Sequence, residues 1–486
     1  LYDPDRLTKP MKGGEATTWE SVNEFIGAHF AGLKQGRGNE LAVLCADLPS
    51  PSLLALRDRF QATFAGSRWY TYESVSDDNQ LAGLRAVFKD ALKPGQAIRP
   101  QYRLHEADVV VSIDADFLGT EGDAVHDAAL WAKKRRIKKP GDGMSRLYAV
   151  ENYYSLTGTN ADHRLRLSNA EVEQFTFALA GKLSEGGRVV LPADLAAAAK
   201  ARGAGLTAKA QKFVDAVAAD LLKGRDERGV ARKPLLIAGR RQSAVVHALV
   251  AAMNKGLGAQ GSTLYYFPQP NRQDDAGDMA GLKALTDELM AGKVKTLLIL
   301  GSNPAHSAPA DLKFAAAMKK AGTRIVLADQ LDETAKLASW AIPRAHFLEA
   351  WGDRYFTDGT TSIQQPLIAP LHGAWSEIEL CAHALGEAKP SGYDVVRGYW
   401  KQEHGAKGFH KAWRRWLHEG RMPKPFFGAF PAYKNVNQVG DLLAGEAPKA
   451  PTDKSFEIIF HADANLFDGR FANNSVPYPP VLLGNR

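Results

Sequence analysis

Nine short apolar runs alternate along the chain with stretches of helical spacing, and no other feature restricts its fold as much. The runs lie at residues 41–45, 69–72, 108–113, 146–150, 188–191, 234–238, 263–267, 296–300 and 324–327. They are continuously apolar rather than alternating, as expected of parallel strands buried on both faces. Strand–helix alternation at this density implies doubly wound α/β sheets. Helix starts are marked as well. Ser50 followed by Pro51 reads as an N-cap with proline in the first turn. Ser168 with Glu171 three residues on reads as a capping box, followed by Val172, Phe175 and Leu179 at helical spacing.

An order of events recurs. A strand at 108–113 meets a loop carrying Asp114 and Asp116, then a helical stretch to about Arg136, a strand at 146–150, Thr157 and Ala161-Asp162. Further on, a strand at 296–300 meets Gly301-Ser302-Asn303-Pro304, then a helix at about 310–320, a strand ending near Asp329, Thr334 and Ala338-Ser339. Copies this far apart indicate duplication of a nucleotide-fold unit, not a solenoid array.

The two loops differ chemically. A strand ending in Gly301-Ser302-Asn303-Pro304 can bring bare backbone N–H groups up to a phosphate, and Asp329 can accept from a ribose or base edge. A tight structural turn is the competing reading. In the first copy Asp114 and Asp116 stand where glycine and asparagine would face an anion. A carboxylate beside a phosphate at about 4 Å is unfavourable by a few kcal/mol at surface-like dielectric. Either that loop needs a cation, or its aspartates cap the following helix.

With 486 residues, several domains are expected. We expect a first α/β unit at 1–165, a second, inserted one at 166–278, a repeat unit at 279–390 completing the first, and an aromatic, proline-rich region at 391–486, with a linker at 446–452. Only Cys45 and Cys381 are present, so a four-cysteine iron–sulfur or zinc site cannot be assembled from this chain. The net charge of +7 lacks the aromatic interleaving of a nucleic-acid binder, and no nucleic-acid partner is expected. Its densest basic run is Lys133, Lys134, Arg135, Arg136, Lys138 and Lys139, read as a solvated helix end or a docking site for an acidic partner or anionic membrane. Tyr399, Trp400, Trp413 and Trp416 with Arg414 and Arg415 read equally as a docking surface or as internal packing. His105, His126, His163 and His306 lie near the repeat loops without metal-ligand spacing. No run reaches the roughly 20 apolar residues of a membrane span.

Several segments, in order, resemble the molybdopterin oxidoreductase superfamily: 161–163 (ADH), 253–261 (MNKGLGAQG), 295–304 (KTLLILGSNP), 329–335 (DQLDETA) and 349–352 (EAWG). Others, 1–6 (LYDPDR), 112–119 (SIDADFLG), 358–368 (DGTTSIQQPLI) and 468–474 (DGRFANN), resemble the B subunit of bacterial alternative complex III, so that the likeness covers about residues 1–474. Residues 475–486 do not continue it.

The resemblance implies a molybdopterin-oxidoreductase-like half without molybdenum. It would be joined to an iron–sulfur half of the same subunit and would dock a multihaem cytochrome c subunit and integral membrane quinol-binding subunits on the periplasmic side of the inner membrane. No cofactor is then expected in this chain, iron–sulfur clusters and haem c belonging to partner regions. Gly301, Asn303, Pro304 and Asp329 would be a vestigial nucleotide pocket. The chain would be a separate product or part of a longer subunit. The alternatives are the catalytic subunit of a molybdenum bis-pterin oxidoreductase, with a serine or aspartate metal ligand, and an unrelated nucleotide-binding enzyme using the Gly301 loop.

Overall fold

The structure is a computed structural model and describes residues 1–225, 229–271, 277–433 and 435–470. Segment 471–474 of the resemblance and residues 475–486 lie outside the described residues.

Among the described residues the chain forms two compact units. Unit 1 comprises Leu1–Ser76 and Pro270–Gly428; unit 2 comprises Asp77–Gln269 and the stretch from Ala429. The first stretch of unit 1 holds β1 (Met11–Lys12), β2 (Glu15–Ala16), β3 (Leu41–Cys45) and β4 (Arg68–Thr71). Unit 2 holds β5 (Ile98–Tyr102), β6 (Val109–Ile113), β7 (Arg146–Glu151), β8 (His163–Arg166), β9 (Pro234–Ala238) and β10 (Leu264–Pro268). The second stretch of unit 1 holds β11 (Thr296–Leu300), β12 (Thr323–Ala328), β13 (Trp340–Pro343), β14 (Gly352–Tyr355) and β15 (Thr361–Gln364).

The sheet of unit 1 has the order β2-β1-β13-β12-β11-β3-β4, parallel from β13 to β4, with β1 antiparallel to β13 and β2 to β1. Alternate residues of its strands enter two separate cores. Leu41, Val43, Leu298, Leu300, Ile325 and Leu327 face one; Ala42, Leu44, Leu297, Ile299 and Val326 face the other. That division of continuously apolar strands is why they carry no polar alternation. In unit 2 the four-stranded sheet β8-β7-β6-β9 is parallel throughout, on a core shared with the helices Asn169–Glu185 and Ala244–Gly256. The Ser50 cap and the Ser168–Glu171 capping box form as their spacing predicts.

Three expectations need correction. Residues 188–191 form no strand; Val189 and Leu191 are buried but Val190 is 85% exposed, in an irregular stretch after the turn at Gly187, which has φ 73°. The run at 263–267 is β10, which pairs antiparallel with β5 in a separate two-stranded ribbon. Pro100 in the middle of β5 hides that partner from pattern reading. The helix expected at 310–320 is a 3-10 turn, Ala310–Leu312, and a short helix, Phe314–Met318, separated by Lys313 at φ 51°.

The unit boundaries also differ from 165/166, 278/279 and 390/391. The chain leaves unit 1 after Ser76, returns at Pro270 and leaves again after Gly428. The two copies of the repeat consequently lie in different units, β6–β8 in unit 2 and β11–β13 in unit 1. The capping box and the change in composition mark element starts, not changes of core. The stretch after residue 390 is divided: the helices Gly392–His404 and Phe409–Glu419 pack into unit 1, whereas Tyr433 and Val439 pack into unit 2.

Candidate functional site

Each parallel sheet has one place where successive connections run in opposite directions. In unit 1 this lies between β3 and β11, adjacent with Cys45 opposite Leu300; β3 leads outward to β4, and β11 leads the other way to β12 and β13. In unit 2 it lies between β6 and β9, with Ile113 opposite Ala238. The crevice beyond the carboxyl ends of such strands is where open α/β sheets bind ligands. Both loops singled out by the repeat lie there.

The duplication extends to single hydrogen bonds. Gly301 follows β11 at φ 67° and donates its N–H to the carbonyl of Leu327 at 3.0 Å; Asp114 follows β6 at φ 53° and donates to Val150 at 2.7 Å. Asn303 Oδ1 accepts from the N–H and hydroxyl of Thr334 at 3.2 and 2.6 Å. Asp116 Oδ1 accepts from the same two groups of Thr157, both at 3.0 Å. Each threonine hydroxyl then accepts a loop N–H, from Ala305 at 2.9 Å and from Leu118 at 3.0 Å. Ser339 Oγ accepts the N–H of Arg324, as Asp162 Oδ2 accepts that of Leu147.

The second-copy residues take these places. Pro304 opens a single helical turn, Pro304–Ser307, which also contains His306. The Asn303 amide donates to Glu333 at 2.8 Å. Gly301 is overlain by the guanidinium of Arg344: a Cβ there would stand 2.8 Å from Arg344 Cζ. That guanidinium donates to Asp329 at 3.0 Å and to Glu377 at 2.7 Å. The flanking carboxylates outweigh burial and raise the Arg344 pKa further, so it stays charged. Asp329 is therefore already engaged by an arginine of its own chain.

The first copy is closed in the same way by a residue that the sequence reading did not identify. Arg241 donates to Asp114 at 2.7 Å and to the Asn152 side-chain oxygen at 3.1 Å, and Gln242 donates to Asp114 at 3.0 Å. Burial raises the Asp114 pKa against the pull of Arg241. The aspartates do not cap the next helix, whose N-cap residue is Asp123 and which has no side-chain cap bond. Asp116 instead ties the loop to Thr157 and, through Oδ2, to Thr120 at 3.0 Å. One oxygen of Asp114, the Asn152 amide nitrogen and Ser302 Oγ are buried without a hydrogen-bond partner.

The other candidate residues take no part in the hydrogen bonds of these loops. Cys45 and Cys381 are buried, with burial pushing the Cys45 thiol up to about 12. His163 stacks on Tyr148, and His105 and His126 sit 3.6 Å from the carboxylates of Glu106 and Asp127. Tyr153 stacks on His461 and lies under Arg241, whereas Tyr154 is exposed beneath Arg164. Among the described residues no three His, Cys, Asp or Glu side chains are grouped to hold a metal ion, and no helix is long and apolar enough to cross a membrane.

No protein-family model matches the chain, nor does any curated protein. Among solved structures it is similar to acetylene hydratase from Pelobacter acetylenicus, at 14% identity and a TM-score of 0.60, over 79% of this chain. The chain spans 62% of the length of that protein. A likeness at this identity shows the fold, which is molybdopterin-oxidoreductase-like. A second likeness is to a chain of the formyltransferase/hydrolase complex from Methylorubrum extorquens. It has 12% identity over 82% of this chain and all of that one, but its TM-score of 0.46 carries no argument.

Proposed function

We propose that this chain is a non-catalytic, cofactor-free scaffold of a membrane-associated quinol:electron acceptor oxidoreductase of the alternative complex III type. In this reading it holds an iron–sulfur half of the same subunit and docks multihaem cytochrome c and integral membrane quinol-binding subunits on the periplasmic side. The fold supports the coarser part of the reading, and the segments resembling the B subunit support the rest.

One observation carries the absence of a cofactor: both switch-point loops are closed by guanidinium–carboxylate pairs internal to the chain. The cofactor implied by such a fold presents phosphates to these loops. The residues do not fit it. In unit 2 Asp114 stands at the position where bare backbone would meet a phosphate, and its carboxylate is buried beside Arg241. In unit 1 the space above Gly301 is filled by Arg344, neutralised by Asp329 and Glu377. A phosphate would have to break two ion pairs and face the carboxylates released.

Metal and pterin analysis of the purified native assembly, with this chain separated from its partners, tests the proposal. Iron confined to the partners, and no molybdenum, tungsten or pterin on this chain, is the expected result. Stoichiometric pterin with molybdenum or tungsten on this chain would overturn it in favour of a catalytic subunit.

A further inference from the structure

A basic face lies on unit 1. Between Lys401 and Lys424 the sequence has seven Lys or Arg against two Glu, a net of five of the chain's seven excess positive charges. The helix Phe409–Glu419 organises this segment. Phe409, Trp413 and Trp416 are 2–6% exposed, in the core of unit 1. The opposite positions, His410, Lys411, Arg414, Arg415 and His418, fall at i, i+1, i+4, i+5 and i+8 and are all exposed. Lys407 precedes the helix and Arg421 and Lys424 follow it, also exposed. Among the described residues, of the Lys and Arg on this face only Arg415 is paired, to Glu419 at 2.7 Å. Lys407, Lys411, Arg414, Arg421 and Lys424 make no ion pair among the described residues.

The aromatic packing holds the face rigid. Trp416 lies 6.1 Å from Phe409 and 6.2 Å from Trp400, and Trp413 lies 6.3 Å from Trp351. An array of like charges on a rigid helix opposes folding by self-repulsion, and an opposite charge relieves it. The other basic run differs. There Lys134 is tied to Asp108 and Arg135 to Asp162, both at 2.8 Å, which leaves part of its charge compensated internally.

We infer that the exposed face of the helix Phe409–Glu419, with Lys407, Arg421 and Lys424, is a docking surface for an acidic protein. Charge complementarity names the partner, and the direction of the aromatic side decides between protein and membrane. A helix that lies in a membrane interface buries its apolar face in the lipid. Here that face is consumed by the core of unit 1, and the helix has no exposed large apolar residue to insert. Arginine guanidinium groups suit paired contacts with carboxylates on a protein surface. This inference does not depend on whether the switch-point loops bind a cofactor.

The test uses the full chain and two probes, immobilised poly-glutamate and vesicles of phosphatidylcholine with about 30% phosphatidylserine. Wild type is expected to bind poly-glutamate, more weakly as salt rises from about 50 to about 200 mM. K411E/R414E is expected to weaken binding at least tenfold, while K133E/R136E/K138E/K139E changes it less than twofold. An unchanged melting temperature shows that each variant is folded, and K411Q/R414Q replaces the first variant if it is not. No binding to poly-glutamate, or equal loss in both sets of variants, would overturn the assignment. Vesicle binding tighter than poly-glutamate binding and abolished by K411E/R414E would overturn it in favour of a membrane.

Discussion

Asn303 holds Thr334 in unit 1 by the same two hydrogen bonds with which Asp116 holds Thr157 in unit 2, one from the backbone N–H and one from the hydroxyl. The loop geometry is common to both, and the chemistry is not. Asn303 uses its nitrogen to reach Glu333. Asp116 uses its second oxygen to accept from Thr120. The exchange N303D therefore sets a carboxylate against Glu333, and D116N turns an amide toward the N–H of Thr120. Each is expected to cost about 1–3 kcal/mol in chemical denaturation. A loss below about 0.3 kcal/mol in both would show that the side-chain bonds do not hold these loops.

Gly301→Ala is expected to destabilise unit 1 by about 1–3 kcal/mol. Its Cβ meets Arg344 Cζ at 2.8 Å, and its φ of 67° disfavours any side chain. Arg344→Ala should relieve only the steric part, so the double-mutant cycle should show coupling of at least 0.5 kcal/mol. Additive losses would show that the guanidinium does not occupy the space above Gly301.

Arg241→Ala and Arg344→Ala test the closing pairs directly. The first leaves the buried Asp114 carboxylate without its cation, and the second leaves Glu377 and Asp329 unbalanced. Losses of about 3–5 kcal/mol are expected where the carboxylate is fully buried and smaller ones where it is half exposed, so R241A should exceed R344A in urea unfolding. The reverse order would contradict the burial argument.

Arg6 and Glu349 form a buried two-pronged pair at 2.7 and 3.2 Å, which anchors the start of the chain to unit 1. Glu349 also accepts from the N–H groups of His346 and Leu371, both at 2.9 Å. Arg6 and these N–H groups outweigh burial and hold its carboxyl down at about 2. For a depressed acid, the unfolded state binds more protons between the two pKa values. The contribution is thus present above about pH 4.5 and lost as pH falls toward 2. Glu349→Gln should flatten the acid limb of the stability curve, and an unaltered limb would refute the linkage.

Burial pushes Glu121 and Asp127, in unit 2, up to about 7. Here the sign reverses: the folded state keeps protons that the unfolded state has released, so their contribution falls as pH rises from about 4.5 to 7. Asp127→Asn should therefore stabilise the protein relative to wild type more at pH 8 than at pH 5, read as the difference in denaturation midpoints. An equal effect at both pH values would mean that Asp127 does not titrate in that range.

Much of this was legible in the primary structure because it is local. The strands 41–45, 234–238 and 296–300 are continuous apolar runs, and they form between the same residues in the structure. The capping box at Ser168 needs only four consecutive residues. The repeat was legible because strand, loop, helix, strand and threonine recur in the same order, and Ala161-Asp162 follows Thr157 at the same offsets as Ala338-Ser339 follows Thr334. The loss of a bare-backbone loop in the first copy could be read from Asp114 and Asp116 alone.

What closes the loops was decided by tertiary structure. Arg241 lies 127 residues from Asp114, and Arg344 reaches Gly301 and Asp329 only because β13 ends beside β12. Unit membership was likewise hidden, since the chain crosses between cores at Ser76, Pro270 and Gly428 without a change in local pattern. The aromatic side of the helix Phe409–Glu419 reads equally as core or as docking surface until a core is present to receive it. Periodicity and capping depend on residues a few positions apart, so sequence determines them. Ion pairs and burial depend on which distant segments meet, and only the packed fold determines that.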